Sequence, residues 1–119
     1  MYLNQLTIIG FTGQDADFHH TPNGTAVTTF SAATKESWKN DKGEWQSRTD
    51  WHRVVTFGKL AEYTRTLPKG TQVTVQGSLR SREYESHGVP RRIFELRADT
   101  VAKLDRAERR EEESTPSDI

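Results

Sequence analysis

The ten residues Arg48-Thr49-Asp50-Trp51-His52-Arg53-Val54-Val55-Thr56-Phe57 alternate from end to end. Thr49, Trp51, Arg53, Val55 and Phe57 fall on one side of an extended chain, and Asp50, His52, Val54 and Thr56 on the other. The segment is therefore predicted to be a strand, closed by Gly58. Working upstream, Leu3 to Gly10 carries Leu6 and Ile8 on one parity and Thr7 and Ile9 on the other, before Gly10 and Gly13 break it. Pro22-Asn23-Gly24 signals a turn, and Thr25 to Thr34 follows with strand propensity and small residues. Between Lys39 and Ser47 the chain turns polar, which reads as a long exposed hairpin loop flanked by Trp38 and Trp45.

Downstream, Lys59 to Leu67 puts Leu60, Tyr63 and Leu67 on one helical face, and Pro68-Lys69-Gly70 stops it. Packing across the open end of a barrel is the common use of such a face. Thr71 to Tyr84 resumes alternation, Ser86 to Pro90 turns, and Arg91 to Leu104 extends again. Three strands, one short helix and two strands fit an all-β, five-stranded Greek-key barrel with its helix between the third and fourth strands. Residues 105–119 are charged and nearly free of apolar groups, so they are predicted to be a short disordered acidic tail beyond a domain of residues 1–104.

Composition narrows the rest. The chain has 119 residues, of which 32% are hydrophobic and 29% charged. That length suits one domain with a thin core, for which burial against other subunits is a natural supplement. No run approaches the ~20 apolar residues of a membrane span, and the start lacks a basic region followed by an apolar stretch. A soluble, cytoplasmic protein with no membrane association is expected. With no Cys in the sequence, thiolate metal sites and cysteine nucleophiles are excluded. The formal charge of zero conceals a division: residues 1–104 carry 14 basic and 11 acidic side chains, a net +3, and residues 105–119 carry 3 and 6, a net −3.

A +3 body only permits a polyanionic partner; the placement of the charges decides. Trp51, Arg53 and Phe57 share parity on the third strand, as do Arg80, Arg82 and Tyr84 on the fourth. Rings interleaved with guanidinium groups offer faces for bases and charge for phosphates, the pairing that single-strand binders need. The competing reading makes Trp51 and Phe57 core residues, but an unpaired buried Arg53 beside them would be costly. His19, His20, His52 and His87 fall in separate elements without metal-ligand spacing, and Asp15 and Asp17 sit where turns favour Asp. No metal, no cofactor and no catalytic residue is expected.

Thr49-Asp-Trp-His-Arg-Val-Val-Thr-Phe-Gly-Lys-Leu-Ala-Glu62, with Glu36-Ser-Trp38 before it and Lys69 to Arg82 after it, resembles the bacterial single-stranded DNA-binding protein family. So do Thr21-Pro-Asn-Gly24 and the opening Leu3 to Gly10. The resemblance implies an oligonucleotide-binding (OB-fold) barrel, usually a homotetramer, that coats single-stranded DNA in replication, recombination or repair and performs no chemistry. By position, Trp38, Trp51, Phe57 and Tyr84 resemble the family's base-stacking aromatics, although many members have Trp where Tyr84 stands. Lys35, Arg53, Lys59, Lys69, Arg80 and Arg82 are the candidate phosphate contacts, and His52 resembles a histidine at a subunit contact. It also implies a nucleoid-associated location. Members with long tails end in an acidic tip that docks replication and repair proteins; Ser114 to Ile119 departs from that pattern. Other readings of the same pattern are a primosome-like assembly subunit, a single-stranded RNA binder and a metal-dependent nuclease.

Overall fold

The computed structural model describes residues 1–14 and 16–104. Asp15 and the acidic segment 105–119, including the expected tail, lie outside the described residues. The elements in chain order are β1 (Leu6–Thr12), β2 (Asp17–His20), β3 (Ala26–Lys39), β4 (Trp45–Phe57), α1 (Lys59–Thr64), β5 (Gln72–Ser86) and β6 (Val89–Lys103). The sheet runs β1-β5-β6-β4-β3-β2, and an added β1–β3 pairing closes five of the strands into a barrel. Four of the joints are antiparallel, while β4 and β6 run parallel through Val54–Leu96 and Val55–Arg97. The predicted five-stranded barrel with a helix after its third strand is thus the architecture, with β2 added on the outer edge of β3.

Alternation sets what fills the barrel. Ile8, Phe30, Ala32, Val54, Val73, Val75, Leu96 and Val101 point inward and form one cluster, with Leu6 and Leu60 packed against it. Val54, Val73 and Val75 are fully enclosed. Burying each such side chain stabilises the fold by roughly 1.5–3 kcal/mol. Between β5 and β6 the register shifts at Gln76/Gly77, and the barrel bends there with backbone approaching backbone.

Two sequence-based expectations are corrected. The predicted long tryptophan-bearing loop closes to Asn40–Glu44, because β3 and β4 stay paired out to Lys39 and Trp45. Beyond the barrel end this ladder has no core to cover, so its polar residues do not break it; cross-strand hydrogen bonds hold it instead. The Asn40 side-chain oxygen accepts from the backbone N–H groups of Lys42 and Glu44 at 2.9 Å and fixes the tip.

The helix is also shorter than the sequence suggests. It ends at Thr64, and its enclosed residues are Ala61 and Thr64, while Tyr63 is exposed. The helix is drawn onto β3 and β4 by hydroxyls: Thr28 donates to the Ala61 carbonyl at 2.7 Å, and the Thr56 and Thr64 hydroxyls bond at 2.7 Å. That pairing rotates the Thr64 face inward, and Leu67 reaches the core through the turn after the helix. Among the described residues, no helix is long and apolar enough to cross a membrane.

Candidate nucleic-acid interface

The extended ladder determines which side chains share a surface. Lys39 opposes Trp45, Lys35 opposes Thr49, Ala33 opposes Trp51, Ser31 opposes Arg53 and Val27 opposes Phe57. Because the period of a strand is two, these residues lie on the outer face, away from the Phe30–Val54 pair of the core. Trp51 is 62% exposed there, which excludes the reading of it as a core residue. Its ring edge packs against Gly13 and Ser31, where any side chain at position 13 would collide with it.

On the same face the β4–β6 joint places Arg97 beside Val55, and the β5–β6 ladder places Arg80 opposite Glu95. Glu95 joins the two arginine rows. Arg53 Nε donates to its carboxylate at 2.7 Å, and Arg82 donates at 3.4 Å. The Glu95 side chain is only 11% exposed. Burial by itself raises its pKa, but the hydrogen bonds from Arg53 and Arg82 and their positive charge outweigh burial and hold the carboxyl below its ordinary value. Arg53 and Arg82 therefore arrive at the surface already aimed and already paired.

A cleft of about 430 Å³ runs between β2 and this arginine row, lined by His19, Phe57, Arg53, Arg80, Arg82 and Arg97 among others. Phe57 and Arg97 also line its continuation over the Thr21–Thr25 turn. Towards the other end, Tyr84 lines a hollow with Arg53, Arg82 and Ile93. The structure thus brings together Trp51, Arg53, Phe57, Arg80, Arg82 and Tyr84, with Lys35 on the same face of the ladder.

It does not bring in the other four candidates. Trp38 opposes Gln46 and shares the parity of His52, which puts it on the reverse face of the β3–β4 ribbon. Lys59 opens α1, and Lys69 lies in the turn where Gly70 donates its N–H to the Thr12 carbonyl; neither lines the cleft. His52 is half-buried, with Nε2 2.8 Å from the Thr34 hydroxyl.

Sequence reasoning missed Trp45, Glu95 and Arg97. Trp45 is 69% exposed, with the Lys39 ammonium 5.4 Å from its ring centroid. Its parity with Trp51 was a usable signal once the strand is extended back to it. Arg97 shares parity with Glu95 on β6, but its partner Phe57 is remote in sequence. Among the described residues no three His, Asp or Glu side chains stand together as a metal site would require.

A closed five-stranded Greek-key barrel with an aromatic and cationic outer face defines an oligonucleotide-binding barrel. Residues 3–104 match the sequence profile of the Single-strand binding protein family, and the chain belongs to that family. Among solved structures it is similar to a Plasmodium falciparum SSB in complex with ssDNA, at 34% identity and a TM-score of 0.80 over 88% of this chain and 97% of that one. It is also similar to a deletion mutant of the single-stranded DNA binding protein from Thermus aquaticus, at 29% identity and a TM-score of 0.77. That match covers 88% of this chain and 52% of the Thermus chain.

Proposed function

We propose that the barrel of residues 1–104 binds single-stranded DNA without sequence preference, as a protective coat in replication, recombination or repair, and catalyses no reaction. The observation that carries this reading is the outer face itself, where Trp51, Phe57 and Tyr84 alternate with Arg53, Arg80 and Arg82 around three hollows that all share Arg53. Rings supply stacking that every base can use, and guanidinium groups supply charge that every phosphate can use, so no base edge needs to be read. The Plasmodium relative, named as an ssDNA complex, supports the same assignment. Such a protein would work in the cytoplasm on nucleoid DNA.

Self-association, as a homotetramer, is part of the proposal. Ile9 and Phe11 on the outer face of β1, and Leu79 and Phe94 beyond the barrel end, are exposed large apolar side chains. A thin core that leaves such surface uncovered favours burial against further copies.

Tryptophan fluorescence during titration with poly-dT, combined with mass in solution by light scattering, tests both parts. Quenching is expected, with affinity falling as salt rises at a log–log slope of about −0.7 per neutralised phosphate. Trp51→Ala should weaken binding by about 1–3 kcal/mol. Unchanged affinity in Trp51→Ala would overturn the stacking assignment, and stronger competition by poly-rU than by poly-dT would move the reading to RNA.

A further inference from the structure

Arg97 was marked neither by pattern nor by resemblance, yet it lines the cleft together with Phe57. Its guanidinium carbon lies 4.5 Å from the centroid of the Phe57 ring, within the range of a cation held over a ring face. The neighbouring cations Arg53 and Arg82 are committed to Glu95. Among the described residues, no carboxylate pairs with Arg97.

A ring that carries a guanidinium on one face does not offer that face to a base. Either Arg97 leaves when DNA arrives, or it becomes the surface on which the base rests. Departure exchanges one stacking contact for another of the same kind. Staying keeps the ring contact and adds a second, because a guanidinium is planar, weakly hydrated and able to stack. Its N–H edges then remain available to a phosphate.

We infer that Arg97, seated on Phe57, is the base-stacking platform of this cleft, and that Phe57 is a positioning residue acting through it. The inference rests on the single-strand reading of the same face. It refines that reading at one position: the base meets the Arg97 guanidinium, with the Phe57 ring stacked behind it.

The test uses the full-length protein, oligo-dT of fixed length and fluorescence anisotropy, with Trp51→Ala as a reference and thermal melting as the check on folding. Arg97→Ala should weaken binding by about 5- to 150-fold, the loss of one stacked base. Arg97→Lys keeps the charge and loses the plane, so it should remain close to Arg97→Ala. Phe57→Leu keeps an apolar side chain and removes the ring, and Arg97→Ala added to it should cost little more than either change alone.

Unchanged affinity in Arg97→Ala overturns the inference, and so does tighter binding, which would make Arg97 a cover over Phe57. Wild-type affinity in Arg97→Lys overturns it by showing that charge alone suffices. Full additivity of Phe57→Leu and Arg97→Ala overturns the coupling between them. Failure of the wild-type protein to bind oligo-dT would instead defeat the single-strand reading, whereas a weakened Trp51→Ala beside an unaffected Arg97→Ala defeats only the platform.

Discussion

A single methyl group at position 13 tests how Trp51 is held. A Cβ added to Gly13 would lie 2.5 Å from Trp51 Cζ3 and 2.5 Å from Ser31 Oγ. The backbone cannot withdraw easily, because the Gly13 N–H donates to the Ser31 carbonyl at 2.9 Å. The side chains must yield. Ser31 can rotate its hydroxyl, and the Trp51 ring, more than half in solvent, can swing outward. The folding cost of Gly13→Ala should therefore fall below the roughly 1–3 kcal/mol of an overpacked core, at about 1 kcal/mol or less. Affinity should suffer more, since the ring leaves the position from which it stacks and up to about 1–3 kcal/mol of stacking is exposed to loss.

Gly77→Ala is the contrasting case. There the Cβ would collide with the Arg97 carbonyl oxygen, part of a paired strand that has no free rotation. Stability should drop by about 3 kcal/mol. Denaturant unfolding and oligo-dT titration on both variants would separate the two effects. The reasoning fails if Gly13→Ala binds and quenches like the wild type, or if it is as unstable as Gly77→Ala.

Three further outcomes follow from the same geometry. The lowered pKa of Glu95 means that the folded state favours the ionised form, so its stabilisation is complete above the ordinary carboxylate pKa of roughly 4.3 and fades as pH falls through the lower folded value. Glu95→Gln should accordingly flatten the acid side of the stability profile, and urea titrations at pH 7 and pH 3 that show an unchanged difference would contradict it. Thr64→Val leaves the Thr56 hydroxyl with only its 3.4 Å contact to the Thr28 carbonyl and should cost about 1–3 kcal/mol in denaturant unfolding; the Thr56→Val, Thr64→Val pair should cost less than the sum of the two single changes. His52→Tyr, which adds bulk beside Thr34, should lower the mass measured by light scattering if His52 lies at a subunit contact, and an unaltered mass would remove it from that role.

The barrel was legible because its strands alternate against a core: the parities of Leu6 and Ile8, of Val54 and Thr56, and of Val73 and Val75 mark the inward face directly. Where no core imposes a period, the sequence is silent. The outer halves of β3 and β4, from Glu36 to Lys39 and from Trp45 to Arg48, are exposed on both faces, so polar residues there resemble a loop although they continue a ladder. β2 escaped because four residues, Asp17 to His20, are too few to show a period. The aromatic and basic character of the site was readable from Trp51, Arg53 and Phe57 alone. Its wiring was not: Glu95 is 42 residues from Arg53, and Arg97 reaches Phe57 only through the parallel β4–β6 joint. Nor did family position tell which face each aromatic presents: the ladder puts Trp38 and Trp51 on opposite sides of the β3–β4 ribbon.

That parallel joint has a kinetic meaning. The β3–β4 and β5–β6 hairpins pair outward from their turns along most of their lengths, whereas β4 meets β6 only at Val54–Leu96 and Val55–Arg97, residues 42 apart in sequence, and β1 meets β3 only at Phe11–Ala33 and Thr12–Ala32. Local hairpins form early, and seams that join distant segments zip last because loop closure must precede them. In the native state the same short seams are the lines along which the barrel breathes, so their amides should exchange with solvent sooner than those inside the hairpins. The cleft straddles one of these seams, with Arg53 on β4 and Arg97 on β6. A polymer strand laid across it would bridge both lips and act as a suture, slowing hydrogen exchange at the joint while it stays bound.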